Sequence, residues 1–163
     1  MQVKVKKLHP SATLPEYATD GSGCFDLRAC IVDDASFVPS PIRHDTPVLC
    51  GTGLAFEIPE GHVMLLFGRS GHAFKHGIRL ANCVGVIDSD FRGEVKVKLV
   101  KDDDWHDQLE RVDPPLIRPN DRIAQGLIIP IPRVEFVEAD ELTDTARGEG
   151  GFGSTGGVVA LGN

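Results

Sequence analysis

Positive charge is what this chain is short of. It carries 17 Lys and Arg against 24 Asp and Glu, a formal charge of −7. A general nucleic-acid or membrane-surface binder would present a basic face, so neither partner is expected. A few local arginines can still hold a small anion. Long apolar runs are missing too, and none has the length needed to cross a bilayer. The opening Met1-Gln2-Val3-Lys4-Val5 lacks the build of an export signal. The four cysteines, Cys24, Cys30, Cys50 and Cys83, show no Cys-x-x-Cys spacing, which argues against a zinc or redox motif. Reduced thiols and a cytoplasmic location are therefore expected. Long stretches of helical periodicity are scarce, whereas Gly (18) and Pro (11) are frequent. That balance predicts many short strands and turns, an all-β chain. At 163 residues a single domain can bury a core without staples.

The most informative stretch runs from Asn82 to Glu94. Val84 to Ile87 is apolar, Asp88, Ser89, Asp90 and Phe91 follow, and Glu94 to Val100 alternates apolar with charged residues. Alternation marks a half-buried strand. A β-hairpin is predicted, with residues 88–91 near its tip and Gly93 supplying backbone freedom. Asp and Ser at a turn can simply bond their own backbone, and that is the bland reading. Yet an amide, two carboxylates, an aromatic ring and a guanidinium crowd around one turn. A site that reads a planar base and activates a water would want that set.

Other segments fall into place around it. Gln2 to Leu8 alternates as a first strand, and Ala18 to Ala29 reads as a turn and a strand carrying Asp26 and Arg28. Residues 32–47 read as turns and a short strand. Leu49 to Ile58 and His62 to Phe67 read as two strands parted by Pro59-Glu60-Gly61. Gly68-Arg69-Ser70-Gly71 is either a plain turn or an anion cradle of guanidinium, hydroxyl and backbone N–H groups. Ser70 is placed to cap a short helix through His76, stopped by Gly77. His72 and His76 stand four apart, but Ala73 occupies the position where a zinc-protease helix has Glu. Lys101 to Asn120 reads as an exposed excursion with an acidic triplet. Arg122 to Ile131 is an apolar strand interrupted by Gln125, and Arg133 to Glu138 alternates as another. Beyond Glu141 no packing face remains. Gly148, Gly150 and Gly153 formally match G-x-G-x-x-G, but no βαβ unit follows, and the Lys-Ser/Thr of a P-loop is missing. Arg147, Phe152, Ser154 and Thr155 among glycines make either a disordered tail or a lid.

Taken in order, these segments resemble the five motifs of the trimeric deoxyuridine triphosphatases (dUTPases). Residues 18–29 resemble the first, 68–71 the second, 82–94 the third, 121–125 the fourth and 147–156 the fifth. The resemblance implies a single-domain, jelly-roll-like β-barrel over residues 1–142 with at most one short helix. It implies a flexible Gly-rich lid and tail over 143–163. It further implies a homotrimer with shared active sites and Mg2+-dependent hydrolysis of dUTP to dUMP and pyrophosphate by water attack at the α-phosphate. Such a reaction limits uracil incorporation into DNA and supplies dUMP for thymidylate synthesis.

Carried over by position, Asp88 resembles the carboxylate that activates the water. Asn82 and the backbone at Gly85, Val86 and Ile87 would read the uracil edge, and Phe91 would pack on the deoxyribose. Arg69, Ser70, Gly71 and Gln125 would hold phosphates. Arg147 would clamp the terminal phosphate, and Phe152 would stack on the base beside Gly153, Ser154 and Thr155. Asp26 would face the metal's water shell, the ion being held otherwise by the substrate's phosphates. Four features depart from the family pattern: Phe91 where Tyr is usual, Gly68 where Pro is usual, the long 101–120 excursion and the 157–163 tail. Phe91 loses a hydroxyl contact but keeps a ring that can block a ribose 2′-OH. A dCTP deaminase on the same fold would need a Glu base that the hairpin lacks. A nucleotide- or protein-binding module is the reading from another class.

Overall fold

The computed structural model describes residues 1–30, 42, 47–102, 116–151 and 154. Among them the chain forms strands β1 (Lys4–Lys7), β2 (Glu16–Tyr17), β3 (Phe25–Arg28), β4 (Val48–Gly51), β5 (Leu54–Glu57) and β6 (His62–Phe67). Helix α1 (Ser70–His76) follows, then β7 (Ile78–Leu80), β8 (Val84–Ile87), β9 (Lys96–Lys101) and β10 (Arg122–Pro130). The strands pair in three antiparallel sheets, ordered β1-β5, β2-β3-β10-β6-β8 and β4-β9-β7. They pack around one core but do not close into a continuous barrel. The architecture is all-β and jelly-roll-like with one short helix. No helix among the described residues is long and apolar enough to cross a membrane.

Alternation explains the core. β9 reads exposed and buried in turn, placing Val97 and Leu99 inside and Lys96 and Lys98 outside. Leu27, Leu54, Met64, Ile78 and Ile123 complete the centre, each at 1% exposure or less. Burying such side chains contributes about 1.5–3 kcal/mol apiece.

Two compact units divide the chain, Met1–Arg133 and Val134–Asn163. All strands among the described residues lie in the first. In the second, Val134, Phe136, Val137 and Leu142 are 63%, 93%, 80% and 90% exposed.

Several expectations need correcting. Leu49 to Ile58 is not one strand. It breaks at Thr52-Gly53, where Thr52 Oγ1 donates to the Val95 carbonyl at 2.7 Å and Glu94 Oε1 accepts the Gly53 N–H at 2.9 Å. Gly53 has φ +65, and a side chain there would lie 2.7 Å from Cys30 Sγ, so only glycine fits. The predicted hairpin does not pair with itself: β8 joins β6, whereas β9 joins β4 and β7. Arg133 to Glu138 alternates but forms no strand, because among the described residues no strand pairs with it. Ser70 starts α1 but does not cap it. The N-cap is Arg69, with no side-chain capping bond, while Gly77 closes the helix in the left-handed region as expected. The strand expected within 32–47 lies outside the described residues, as does most of the 101–120 excursion.

Candidate active site

Two groups of the anticipated residues assemble, at different places. The first surrounds the gap between β8 and β9. Because these strands belong to different sheets, a cavity of about 300 Å3 opens between them. Asn82, Gly85, Val86 and Ile87 line one side, Lys96, Val97 and Lys98 the other, with Leu66 and Leu80 at the back. β8 is the edge of its sheet, so among the described residues its outer row of backbone N–H and C=O groups is not used by a ladder. Gly85 leaves this wall uncrowded: a side chain there would lie 3.0 Å from Leu66 Cβ and press Leu66 back by a few tenths of an ångström. Such a slot, apolar behind and polar along one rim, suits a small planar ring.

The chain leaves β8 through a tight turn. The Phe91 N–H donates to the Asp88 carbonyl at 3.2 Å. Arg92 Nη1 donates to the Ser89 carbonyl at 2.6 Å and to the Phe91 carbonyl at 3.0 Å. These bonds hold Asp88 exposed at the end of the slot, with Phe91 beside it at 41% exposure.

The second group forms where β3, β10 and β6 lie side by side. Register sets Gln125 opposite Asp26 on one flank and opposite Phe67 on the other. Phe67 ends β6, and the chain turns there into Gly68 and Arg69. Gln125 Nε2 donates to the Gly68 carbonyl at 3.2 Å, fixing that turn despite the missing proline. Arg69 Nε donates to Asp26 Oδ1 at 3.0 Å, and Arg122 Nη1 to Oδ2 at 3.2 Å. The Asp26 side chain is only 11% exposed. Taking Nε leaves the terminal nitrogens of Arg69 available to an anion. Ser70 and Gly71 follow at the exposed start of α1.

Arg122 and His72 were not anticipated. His72 Nε2 donates to the Arg122 carbonyl at 2.8 Å, tying α1 to β10. That use of Nε2 is a structural job distinct from a metal pair with His76. The register of β10 shifts between Arg122 and Ala124, a bulge that lets Arg122 reach Asp26. A charged residue heading an apolar strand was the only sign of this in the sequence.

Asp88 and the cradle lie toward opposite ends of the β6–β8 ladder, whereas Asn82 lies at the cradle's end. Val84 pairs with Phe67, next to the cradle, while Ile87, next to Asp88, pairs with Met64. The three ladder steps between those pairs amount to about 10 Å.

In the second unit, residues 145–151 form tight turns. Arg147 Nε donates to the Gly150 carbonyl at 2.8 Å, and the Gly150 N–H returns to the Arg147 carbonyl at 3.1 Å. The Ser154 N–H donates to the Gly151 carbonyl at 3.0 Å. Phe152, Gly153 and Thr155 lie outside the described residues.

The dUTPase family model matches residues 10–156. The deoxyuridine 5′-triphosphate nucleotidohydrolase of Nautilia profundicola is 44% identical over 156 residues, 96% of this chain and 99% of that one. The protein of the same name from a Hydrogenobaculum species is also 44% identical over the same shares. Among solved structures, the Staphylococcus bacteriophage 80alpha dUTPase with dUPNHPP superposes with a TM-score of 0.76 at 24% identity, over 95% of this chain and 98% of that one. At that identity the likeness speaks for the fold.

Proposed function

The chain belongs to the dUTPase family, and from that premise we propose that it hydrolyses dUTP to dUMP and pyrophosphate by water attack at the α-phosphate. The observation that carries this reading is the slot between β8 and β9, lined by Asn82 and by Ile87, the residue before Asp88. Uracil enters it edge-first, pairing with the β8 backbone row that no ladder uses among the described residues and with the Asn82 amide. Cytosine presents a reversed donor and acceptor there, so buried groups would be left unmatched, which can cost up to ~10⁴-fold in specificity. Phe91 walls the sugar side. Asp88 orients and deprotonates the attacking water as charge develops.

Triphosphate hydrolysis needs in-line positioning and neutralisation of spreading negative charge. Arg69, Ser70, Gly71 and Gln125 bind phosphate oxygens, and Arg147 meets the terminal phosphate. Phe152, Gly153, Ser154 and Thr155 complete the lid, with Phe152 over the base. The donor set fits Mg2+: hard phosphate oxygens and one carboxylate, Asp26, whose oxygens each keep a lone pair for a water of the ion's shell. When bound, the ion neutralises phosphate charge and draws the phosphates into one conformation.

We read the active assembly as a homotrimer with shared sites. Two features support this. The ladder separation of cradle and Asp88 suits a site in which one chain supplies Asp88 and another the cradle. The exposed Val134, Phe136, Val137 and Leu142 suit burial against a neighbouring copy. The test of function is pyrophosphate release from a panel of dUTP, dCTP, dTTP and UTP. Strong preference for dUTP is expected; ammonia from dCTP, or no pyrophosphate at all, would contradict it.

A further inference from the structure

Phe91 does not stand alone at the turn. Its ring lies over Gly93: a first side-chain carbon built on Gly93 would sit 2.6 Å from Cζ, 2.9 Å from Cε2 and 3.4 Å from Cε1 of the ring. Those distances fall below ordinary van der Waals contact, so ring and side chain cannot coexist as placed. Backbone conformation does not demand glycine there. The glycines with positive φ among the described residues are Gly53, Gly61, Gly77 and Gly148, and Gly93 is not among them. The sequence suggested that Gly93 supplies backbone freedom; what it supplies is room for a ring.

We propose that Gly93 is a positioning residue for sugar discrimination: its bare Cα is the seat that sets where the Phe91 ring meets the nucleotide's 2′ carbon. This rests on the reading of Phe91 as the wall of the sugar site. The rest of the turn is held independently. The Phe91 N–H bonds the Asp88 carbonyl, and the Arg92 guanidinium bridges the Ser89 and Phe91 carbonyls. A methyl at position 93 therefore meets a fixed backbone and a ring that is 41% exposed. The ring gives way, by about 1 Å, to recover normal carbon–carbon contact near 3.5 Å. A ribose differs from a deoxyribose by one oxygen at the 2′ carbon. A wall displaced by that distance no longer separates the two. Phe91 also has no hydroxyl to anchor it from its far end, which leaves its placement to packing such as this seat.

The test uses the full chain as its assembled oligomer and measures kcat/KM for dUTP and UTP in wild type, Gly93→Ala, Phe91→Ala and the double variant. Elution volume and thermal midpoint check that each is folded. Gly93→Ala is expected to lower the dUTP/UTP ratio by about 10-fold or more, within the range one small group is worth in a pocket. Asp88 chemistry is untouched, so dUTP kcat should stay within about 2-fold of wild type. In the double variant the ratio should match Phe91→Ala alone, because the seat acts only through the ring. An unchanged ratio in Gly93→Ala, or effects that simply add, would overturn the proposal. Should Phe91→Ala leave the ratio unchanged, the ring is not the sugar wall, and the proposal falls with it. Should wild type release no pyrophosphate from dUTP, the functional reading fails first, and the two failures are thereby distinguished. A Gly93→Ala chain that does not fold would show that position 93 serves the fold, and Phe91→Leu, which shortens the side chain without touching the seat, then decides whether ring placement sets the ratio.

Discussion

Asp26 accepts a hydrogen bond from Arg69 at 3.0 Å through one carboxylate oxygen and from Arg122 at 3.2 Å through the other. A carboxylate held between two guanidiniums is a scaffold for cations. It fixes Arg69 through Nε while its own charge offsets the repulsion between the two arginines. The same residue is also the one candidate for the metal's water shell.

Those two roles separate in Asp26→Asn. An amide offers one acceptor and no charge, so Arg69 loses its orientation. The KM for dUTP is expected to rise by about 10-fold, the worth of one charged hydrogen bond, with a smaller change in kcat. The Mg2+ concentration for half activity should move less than about 2-fold if Asp26 acts on the arginines. A shift of 10-fold or more, measured by Mg2+ titration at saturating dUTP, would put Asp26 on the metal.

Asp88→Asn should keep the assembly and bind a non-hydrolysable dUTP analogue normally. Its kcat should fall at least ~100-fold, the low end for a general base. Turnover near the wild-type value would remove Asp88 from the reaction.

The thiols report on the slot. Burial pushes the Cys50 thiol up to about 11, so it stays protonated and inert as pH rises from 8 to 10. Cys83 is exposed and adjoins Asn82 on the slot's rim. Iodoacetamide followed by peptide mass spectrometry should find Cys83 alkylated in the native protein and Cys50 only after denaturation. A bound dUTP analogue should slow Cys83 alkylation. If Cys50 reacts as fast as Cys83, the core described here is not closed.

Removing residues after Thr145 should leave a folded assembly, because among the described residues the last strand ends at Pro130. Activity should fall steeply through loss of Arg147 and Phe152. The truncated chain and Asp88→Asn, each inactive alone, should regain activity when mixed under conditions where subunits exchange. No recovery, with exchange confirmed, would mean that lid and base come from one chain.

Much of this was legible because it is local. Strand β3 announces itself by alternation, β6 and β10 by apolar runs between turn residues, and Gly77 by the need to stop a helix. The parts that were not legible depend on partners far away in sequence. β8 and β9 look like one hairpin until pairing shows that each has found a better neighbour, and the slot exists because they part. Arg133 to Glu138 has the pattern of a strand, but a pattern without a partner forms no ladder. Arg122 reaches Asp26 only through the bulge in β10. Gly93 reads as a flexible turn residue until the Phe91 ring is seen lying on it.

The most direct measurement is hydrolysis of dUTP in heavy-oxygen water, with products separated and weighed by mass spectrometry. Attack at the α-phosphate by a water that Asp88 activates places one heavy oxygen in dUMP and none in pyrophosphate, and Asp88→Asn slows its appearance. Heavy oxygen in the pyrophosphate, or cleavage to dUDP and phosphate, would contradict the account.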